Sequence, residues 1–391
     1  MPRVADRFFM TIPGAALPAG LREKEPLKPH TTFKIGGPAR YFARVRSPQE
    51  VREAIVFAQG RSAPVFVLGG GSNLLVSDRG FDGLVLHPAC EGAGEPQRDS
   101  NTGFVRFRIN AGEAWDRAVA CAVDHGWWGI ENLSHIPGQS GAALVQNIGA
   151  YGQQLSDVLE SAEVLELSTG EAHLLQANEC GLGYRRSIFN GSHRGEFIIL
   201  SITLRLPIEP RPNLGYRDLR AYFEERSIDR PSQLEIRRAI ISIRDRKFPY
   251  PREARGGNAG SSFKNPTLSA AEFQALERSV RLRFGAAEVS RLDELSHRPG
   301  STDSVKVPAA LLIDMCGLKG FGIGGAQVNP PQPLVILNLG TATAEDVLCL
   351  AGHVRRTVYR ETGVKLELEP ELVGFAPGET EGWLGPVQGV E

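Results

Sequence analysis

The sequence predicts an α+β protein that folds as more than one domain. A chain of 391 residues is longer than one compact core of ordinary size. Segments with a helical stripe of apolar residues are interspersed with short apolar runs and glycine-rich loops, which is typical of mixed helix and sheet. The hydrophobic fraction of 41% and the charged fraction of 23% are those of a folded soluble protein.

Composition argues against several classes of function. A net charge of −1 does not favour nucleic acid or an anionic membrane as a general partner. No stretch approaches the roughly 20 apolar residues of a membrane span, and residues 8–17 are interpreted as a loose leader. The five cysteines are far apart and form no CxxC pair, so we expect neither zinc ligands nor disulfides. Free cysteines are typical of a reducing compartment, which by default is the cytoplasm. The oligomeric state stays open.

The first third of the chain reads as a small nucleotide-binding unit. Ser47-Pro48-Gln49-Glu50 is a capping box with proline at the first helical position, so a helix is expected to begin there. The apolar run 65–68 predicts a buried strand, which leads into the glycine-rich segment 69–75. A further short strand is expected at 84–86.

The middle of the chain predicts a second sheet. Residues 105–110 alternate between apolar and polar side chains, as in a half-buried strand, and a helix is expected over 114–125. The stretch 131–154 has no clear period and is rich in small residues. Strands are predicted again at 163–167 and 197–206.

The last third predicts helices that pack on short strands. Capping residues predict three helix starts, at Ser232, Ser269 and Thr343. A final strand is expected over Lys365–Val373. The segment 284–307 and the tail after Gly374 are interpreted as loops.

Two uncharged, small-residue segments are candidates for binding a large ligand. Gly69-Gly70-Gly71-Ser72-Asn73 could turn its backbone N–H groups toward a pyrophosphate. The pattern is not G-x-G-x-x-G and no clear helix follows it, which disfavours a Rossmann NAD site. Residues 136–152 could pack their backbone against a flat ligand. Each segment could equally be a structural turn, but together they favour a dinucleotide-sized ligand.

Three charged or hydroxylic segments are candidates for chemistry. Tyr184-Arg185-Arg186 could grip a carboxylate. The composition of 257–262 favours a surface turn, although a hydroxyl held at Ser261 could donate a proton. Strand alternation places Glu367, Glu369 and Glu371 on one face, an arrangement that is normally a solvated surface.

In this order, the segments resemble the UDP-N-acetylenolpyruvoylglucosamine reductase family, also called UDP-N-acetylmuramate dehydrogenase. The resemblance spans about residues 28–375. It is carried by Thr32–Ala39, Leu68–Leu75, Ile136–Gly152, Tyr184–Phe189, Gly257–Pro266, Leu311–Asp314 with Gly317–Gly320, and Leu368–Gly374. It is similar to the form of the family with a tyrosine-bearing substrate loop, here Leu214–Leu219.

The resemblance implies an α+β fold with a two-part FAD-binding unit, similar to vanillyl-alcohol-oxidase-type flavoproteins, and a smaller substrate domain. The implied division is 28–95 and 96–208 for FAD, 209–374 for substrate, and 375–391 as a tail. The residues implied to hold FAD are Gly69, Gly70, Gly71, Ser72, Asn73, Leu74, Pro137, Gly138, Gly141, Asn147, Gly149, Ala150 and Tyr151. No metal is implied.

The resemblance also implies a reaction and its residues. NADPH reduces FAD, and UDP-N-acetylglucosamine enolpyruvate then accepts the hydride at C3 and a proton at C2. Ser261 matches the proton donor, and Arg185 and Glu371 match the groups that polarise the enolpyruvyl carboxylate. The implied substrate contacts are Tyr184, Tyr216, Lys247 and Asn265.

Two residue assignments and two alternative functions remain open from the sequence alone. Ser262 stands where the family has Phe, so the acid could be either serine, and Glu369 lies two positions from Glu371. A different flavoprotein of the same architecture, such as an oxidase of a small alcohol, would have no need of Arg185 and Ser261. A non-catalytic UDP-sugar or flavin-binding protein would bind ligand without consuming NADPH.

Overall fold

The computed structural model describes residues 20–99, 101–247, 256–296 and 303–385. The interpreted leader at 8–17 lies outside these residues. No helix among the described residues is long and apolar enough to cross a membrane. The larger sheets have four, five and four strands, and each begins after the previous one along the chain.

The first sheet is formed by the N-terminal strands. Its order is β1-β2-β5-β3, with β2, β5 and β3 parallel. The elements are β1 Leu21–Pro26, β2 Pro38–Val45, α1 Pro48–Gln59, β3 Val65–Val67, β4 Leu74–Val76 and β5 Phe81–Pro88. The predicted start of α1 is confirmed, because the Ser47 side chain accepts a hydrogen bond from the Glu50 N–H.

The second sheet is antiparallel and has the order β11-β10-β12-β7-β6. Its elements and the intervening ones are β6 Gln97–Asp99, β7 Phe104–Asn110, α2 Trp115–Asp124, α3 Ser140–Val145, β8 Gly149–Ala150, β9 Gln153–Gln154, β10 Leu159–Glu166, β11 Ala172–Gln176 and β12 Phe197–Pro207. The predicted strands and the helix over 114–125 are confirmed to within a few residues. Alternate residues of β7 are buried, as its sequence pattern indicates.

The C-terminal part contains most of the helices. Its elements are α4 Arg217–Glu224, α5 Gln233–Lys247, β13 Gly257–Ser261, β14 Thr267–Ser269, α6 Ala270–Phe284, α7 Ala286–Leu295, β15 Ser304–Lys306, α8 Ala309–Met315, β16 Gly322–Ile323, β17 Ala326–Val328, β18 Val335–Asn338, α9 Ala344–Thr362, β19 Glu371–Val373 and α10 Glu381–Leu384. Ser269 and Thr343 cap α6 and α9 through reciprocal capping boxes, as predicted.

Three sequence-based expectations for this part are wrong. The segment 284–307 is not a loop, because α7 and β15 lie within its described residues. The tail after Gly374 contains α10, which packs on α9. The expected strand over Lys365–Val373 is interrupted: Leu368 forms an isolated antiparallel bridge with Phe263, and only the last three residues form a strand, β19, which pairs in parallel with β4.

The pairing of β19 with β4 brings the chain back to its beginning. β4 immediately follows the glycine-rich segment 69–73, and the Glu371 N–H donates to the Asn73 carbonyl over 2.9 Å. The Asn73 side chain also donates to the Glu369 carbonyl over 3.2 Å. The acidic C-terminal segment is therefore fixed beside the glycine-rich loop.

Candidate active site

One cleft brings together residues from all three parts of the chain. Its volume is about 930 Å³, at the upper end for small-molecule sites. Its wall includes these predicted flavin residues: Gly69, Gly71, Ser72, Asn73, Leu74, Pro137, Gly138, Gly149, Ala150 and Tyr151. It also includes these predicted catalytic and substrate residues: Tyr184, Arg185, Tyr216, Lys247, Ser261, Asn265 and Glu371.

Three predicted flavin residues do not line this cleft but lie behind its wall. A Cβ on Gly70 would come within 2.6 Å of the Gly138 Cα, and one on Gly141 within 2.7 Å of the Ala111 Cβ. Asn147 is buried, and its side chain donates to the Gly183 carbonyl over 2.8 Å. These residues shape the wall but do not face the interior of the cleft.

The two small-residue segments contact each other through their backbones. Gly70 lies against Gly138, and a Cβ on Gly69 would come within 2.7 Å of the Ala142 Cβ. Gly71 has φ +61° and lies so close to the His30 carbonyl that no side chain fits. The glycines are therefore required by this close approach, which leaves the exposed edge of both loops on the cleft.

The wall formed by these loops fits a flavin dinucleotide. It presents backbone and small uncharged side chains, as a broad flat ligand requires. The Gln139 side chain donates to the Pro88 carbonyl over 3.0 Å. Its oxygen is buried and has no hydrogen-bond partner among the described residues. A buried acceptor without a partner is costly, so this wall has one polar group that the described residues leave unsatisfied.

Ser261 lies on a strand, and the expectation of a surface turn is wrong. It is the last residue of β13, which pairs with β18, and the register shifts between Asn258 and Ser261. Gly260 has φ +73° in this bulge. Ser261 lines the cleft, whereas Ser262 is buried and accepts a hydrogen bond from the Ile336 N–H over 3.0 Å. Ser262 is therefore engaged in the sheet.

Arg185 is held in the cleft by two acceptors. Its Nε donates to the Glu369 Oε1 over 2.7 Å, and its Nη2 donates to the Gly149 carbonyl over 2.9 Å. Arg185 itself has φ +54°, an uncommon conformation for a non-glycine residue, which is compatible with a functional constraint. Burial raises the pKa of Glu369, and the Arg185 charge opposes that shift.

The carboxylate bonded to Arg185 is therefore Glu369, and not Glu371, the glutamate that the family resemblance selects. The Glu371 carboxylate accepts from the exposed Arg194, whose Nη2 lies 2.6 Å away. Both glutamates line the cleft. They share one face, as alternation predicts, but sequence spacing does not indicate which one meets an arginine 184 residues earlier.

Lys306 is a cleft residue that sequence reasoning missed. Its Nζ lies 3.3 Å from the centroid of the Tyr184 ring, a close cation–π contact. Burial lowers the pKa of Lys306 to about 8, with Arg185 adding to the shift and Glu369 opposing it. The alternation in Ser304-Val305-Lys306-Val307 was the available signal for β15.

The remaining predicted contacts also line the cleft. The Tyr216 and Tyr151 rings meet edge to face with centroids 5.1 Å apart. Burial raises the pKa of Tyr151 to about 12, so its phenol is neutral at physiological pH. Lys247 pairs with Asp218, and the Asn265 Oδ1 accepts from the Ala309 N–H over 2.9 Å at the start of α8.

Comparison with known proteins agrees with this arrangement. Residues 39–175 match an FAD-binding domain, and 250–373 match the C-terminal domain of UDP-N-acetylenolpyruvoylglucosamine reductase. The reductase of Burkholderia multivorans is 39% identical over 92% of this chain and 99% of its own. That of Burkholderia vietnamiensis is 38% identical over the same shares.

A solved structure is similar as well. The UDP-N-acetylenolpyruvylglucosamine reductase of Thermus caldophilus superposes with a TM-score of 0.59 at 29% identity, covering 90% of this chain and 99% of that one. The predicted α+β fold class, with an FAD-binding unit and a smaller C-terminal domain, is confirmed. The chain belongs to the UDP-N-acetylenolpyruvoylglucosamine reductase family, a family of FAD-dependent oxidoreductases.

Proposed function

We propose that this protein reduces UDP-N-acetylglucosamine enolpyruvate to UDP-N-acetylmuramate at the expense of NADPH, in the cytoplasm, as a step of peptidoglycan precursor synthesis. The observation that supports the proposal is that a single cleft is lined by the two small-residue loops, by Arg185 and by Ser261. The five cysteines are free thiols, which suits a reducing compartment. When bound, FAD passes a hydride from NADPH to the enolpyruvyl C3.

Arg185 stabilises the charge that develops on the substrate. Addition of hydride at C3 leaves an electron pair at C2, which spreads into the carboxylate as an enolate. Arg185 has donors left for that carboxylate after its bonds to Glu369 and Gly149. A preorganised cation in a partly buried cleft lowers the energy of such an anion, which is often the largest single contribution to catalysis.

Ser261 supplies the proton that completes the reduction. Its O–H bond breaks as the C2–H bond forms, and the resulting alkoxide is then reprotonated from solvent. The cations Arg185 and Lys306 in the same cleft would ease loss of the proton. Glu371 remains the proposed partner of Arg185 in polarising the substrate carboxylate, whereas Glu369 orients the guanidinium.

The substrate's UDP moiety is assigned to Tyr216, Lys247 and Asn265. The assignment is supported by their presence in the same cleft as Tyr184 and Arg185. We also propose the division into FAD-binding regions 28–95 and 96–208, a substrate domain 209–374 and a tail 375–391. The division is supported by the three successive sheets, although β1 begins at Leu21 and β19 pairs back onto β4.

The proposal is tested by following NADPH oxidation by the purified FAD-loaded protein. We expect rapid oxidation only when UDP-N-acetylglucosamine enolpyruvate is present, with one NADPH consumed per UDP-N-acetylmuramate formed. A yellow protein that consumes no NADPH with this substrate would contradict the proposal. Turnover with oxygen and a simple alcohol would replace it with an oxidase function.

A further inference from the structure

We propose that Asp218 is a built-in competitor for Lys247, an acidic side chain that occupies the phosphate-binding lysine until a multiply charged diphosphate displaces it. The inference rests on the proposed function in one respect, the assignment of Lys247 to the UDP moiety. It adds a residue that sets how strongly an anion must bind Lys247 to occupy this part of the cleft.

The competing contact is a direct ion pair between two helices. Lys247 is the last residue of α5 and lines the cleft, and Asp218 lies in the first turn of α4. The Lys247 ammonium donates to the Asp218 Oδ2. About a third of each side chain is exposed, 30% for Lys247 and 35% for Asp218, and Lys247 lines the cleft, so a ligand there can reach the lysine of the pair.

The position of Asp218 points to competition with a ligand and not only to helix stability. It follows Tyr216 by two residues, and its charge acts on two tyrosines that line the cleft. Burial is the main reason for the raised pKa of Tyr151 and of Tyr216, and the Asp218 carboxylate contributes to each. The carboxylate therefore occupies the Lys247 ammonium, the group assigned to the phosphates of a nucleoside diphosphate.

Any anion that binds Lys247 has to displace Asp218, so the ion pair lowers the affinity of all such anions by the same factor. A diphosphate brings several oxygens and charges, and Arg244, one turn before Lys247 on α5 and also on the cleft wall, can contribute to holding it. A weakly bound, singly charged anion therefore leaves the ion pair in place at concentrations at which a diphosphate displaces it.

The experiment measures binding of UDP, and separately of inorganic phosphate, to the FAD-loaded protein by calorimetry. In Asp218→Asn, UDP should bind about twofold to fivefold more tightly, the range expected for a partly exposed ion pair. Phosphate should gain by the same factor, because it displaces the same ion pair. In a Lys247→Met background, Asp218→Asn should change neither affinity. Asp218→Ser serves as a second variant if Asp218→Asn does not fold.

Glu294→Gln is the matched control, because it removes one negative charge from another ion pair of α4, that of Arg217 with Glu294, at exposed side chains. It should leave UDP binding unchanged. Equal or weaker UDP binding by Asp218→Asn, or a gain that persists without Lys247, would overturn the inference. The proposed function fails separately, if the wild type binds UDP but oxidises no NADPH with the enolpyruvyl substrate.

Discussion

The two walls of the cleft recognise their ligands by different means. The wall made by loops 69–74 and 136–152 offers backbone and small side chains, and its glycines are fixed by contacts such as that of Gly70 with Gly138. The rest of the lining, here called the charged wall, offers the charged side chains Arg185, Lys306 and Lys247. The first wall selects by shape, and the second selects by charge.

This difference predicts whether a substitution should affect flavin binding or the reaction with substrate. On the shape-selective wall a single added methyl group should weaken flavin binding through overpacking, with little effect on chemistry once flavin is bound. On the charged wall, loss of one group should slow the reaction or weaken substrate binding while flavin stays in place. Each substitution below tests that separation.

Replacing Arg185 should have the largest effect among the charged-wall residues. Arg185→Met removes the cation beside the enolpyruvyl carboxylate, and we expect the rate at which substrate reoxidises reduced flavin to fall by about 10² to 10³. Stopped-flow absorbance measures that rate. Arg186→Met, at the exposed neighbouring arginine, is the control and should react like wild type. Loss of flavin from Arg185→Met would break the distinction between the walls.

Substitution of the two cleft glutamates should affect different properties, the rate of flavin reoxidation for Glu371 and the stability of the fold for Glu369. Glu371→Gln should slow flavin reoxidation by roughly tenfold to a hundredfold, the loss expected for one charge-assisted hydrogen bond. Glu369→Gln removes the charge that orients Arg185, and it should lower the free energy of unfolding by about 1–3 kcal/mol with a smaller effect on reoxidation. Stopped-flow rates and urea unfolding measure the two. The reverse pattern would assign the catalytic carboxylate to Glu369.

On the shape-selective wall, Gly70→Ala should weaken flavin binding. The new methyl group would lie 2.6 Å from the Gly138 Cα, and such overpacking costs about 1–3 kcal/mol. We expect FAD affinity, measured by fluorescence titration, to fall about tenfold, a cost within that range. In Gly382→Ala, where a Cβ meets no atom within 4 Å, the affinity should not change. An unchanged FAD affinity in Gly70→Ala would mean that the contact between the two loops does not determine the shape of this wall.

The smallest expected effect is a pH dependence of substrate binding through Lys306. Its pKa of about 8 means that the ammonium is present below that pH and lost above it. The KM for the enolpyruvyl substrate should therefore rise severalfold above pH 8, and Lys306→Met should abolish the rise. Because the folded pKa lies below the ordinary value of 10.5, the free energy of unfolding should increase with pH between about 8 and 10.5.

Local signals predicted local structure well. Capping boxes at Ser47, Ser269 and Thr343 marked helix starts correctly, because each cap is satisfied within four residues. The helix α7 was missed since only Val289 and Leu292 are buried on it, too few for a readable stripe.

The candidate site shows the same difference between features that local sequence predicts and features that it does not. Glycine-rich composition is local, and it indicated the shape-selective wall directly. Contacts across the chain, such as Arg185 with Glu369 or Lys306 with Tyr184, depend on how the sheets are arranged and have no signature in spacing. Ser261 was found through family resemblance, because its own segment reads as a surface turn.

The most direct test of the proposed mechanism is to measure the two half-reactions of Ser261→Ala separately under anaerobic conditions. NADPH should reduce the bound flavin at the wild-type rate, because the shape-selective wall is untouched. Reoxidation by UDP-N-acetylglucosamine enolpyruvate should fall by at least about 10², the contribution of a positioned proton donor, whereas Ser262→Ala, which alters only a bond within the sheet, should still be reoxidised rapidly. Fast reoxidation of Ser261→Ala would contradict the central claim that this hydroxyl completes the reduction.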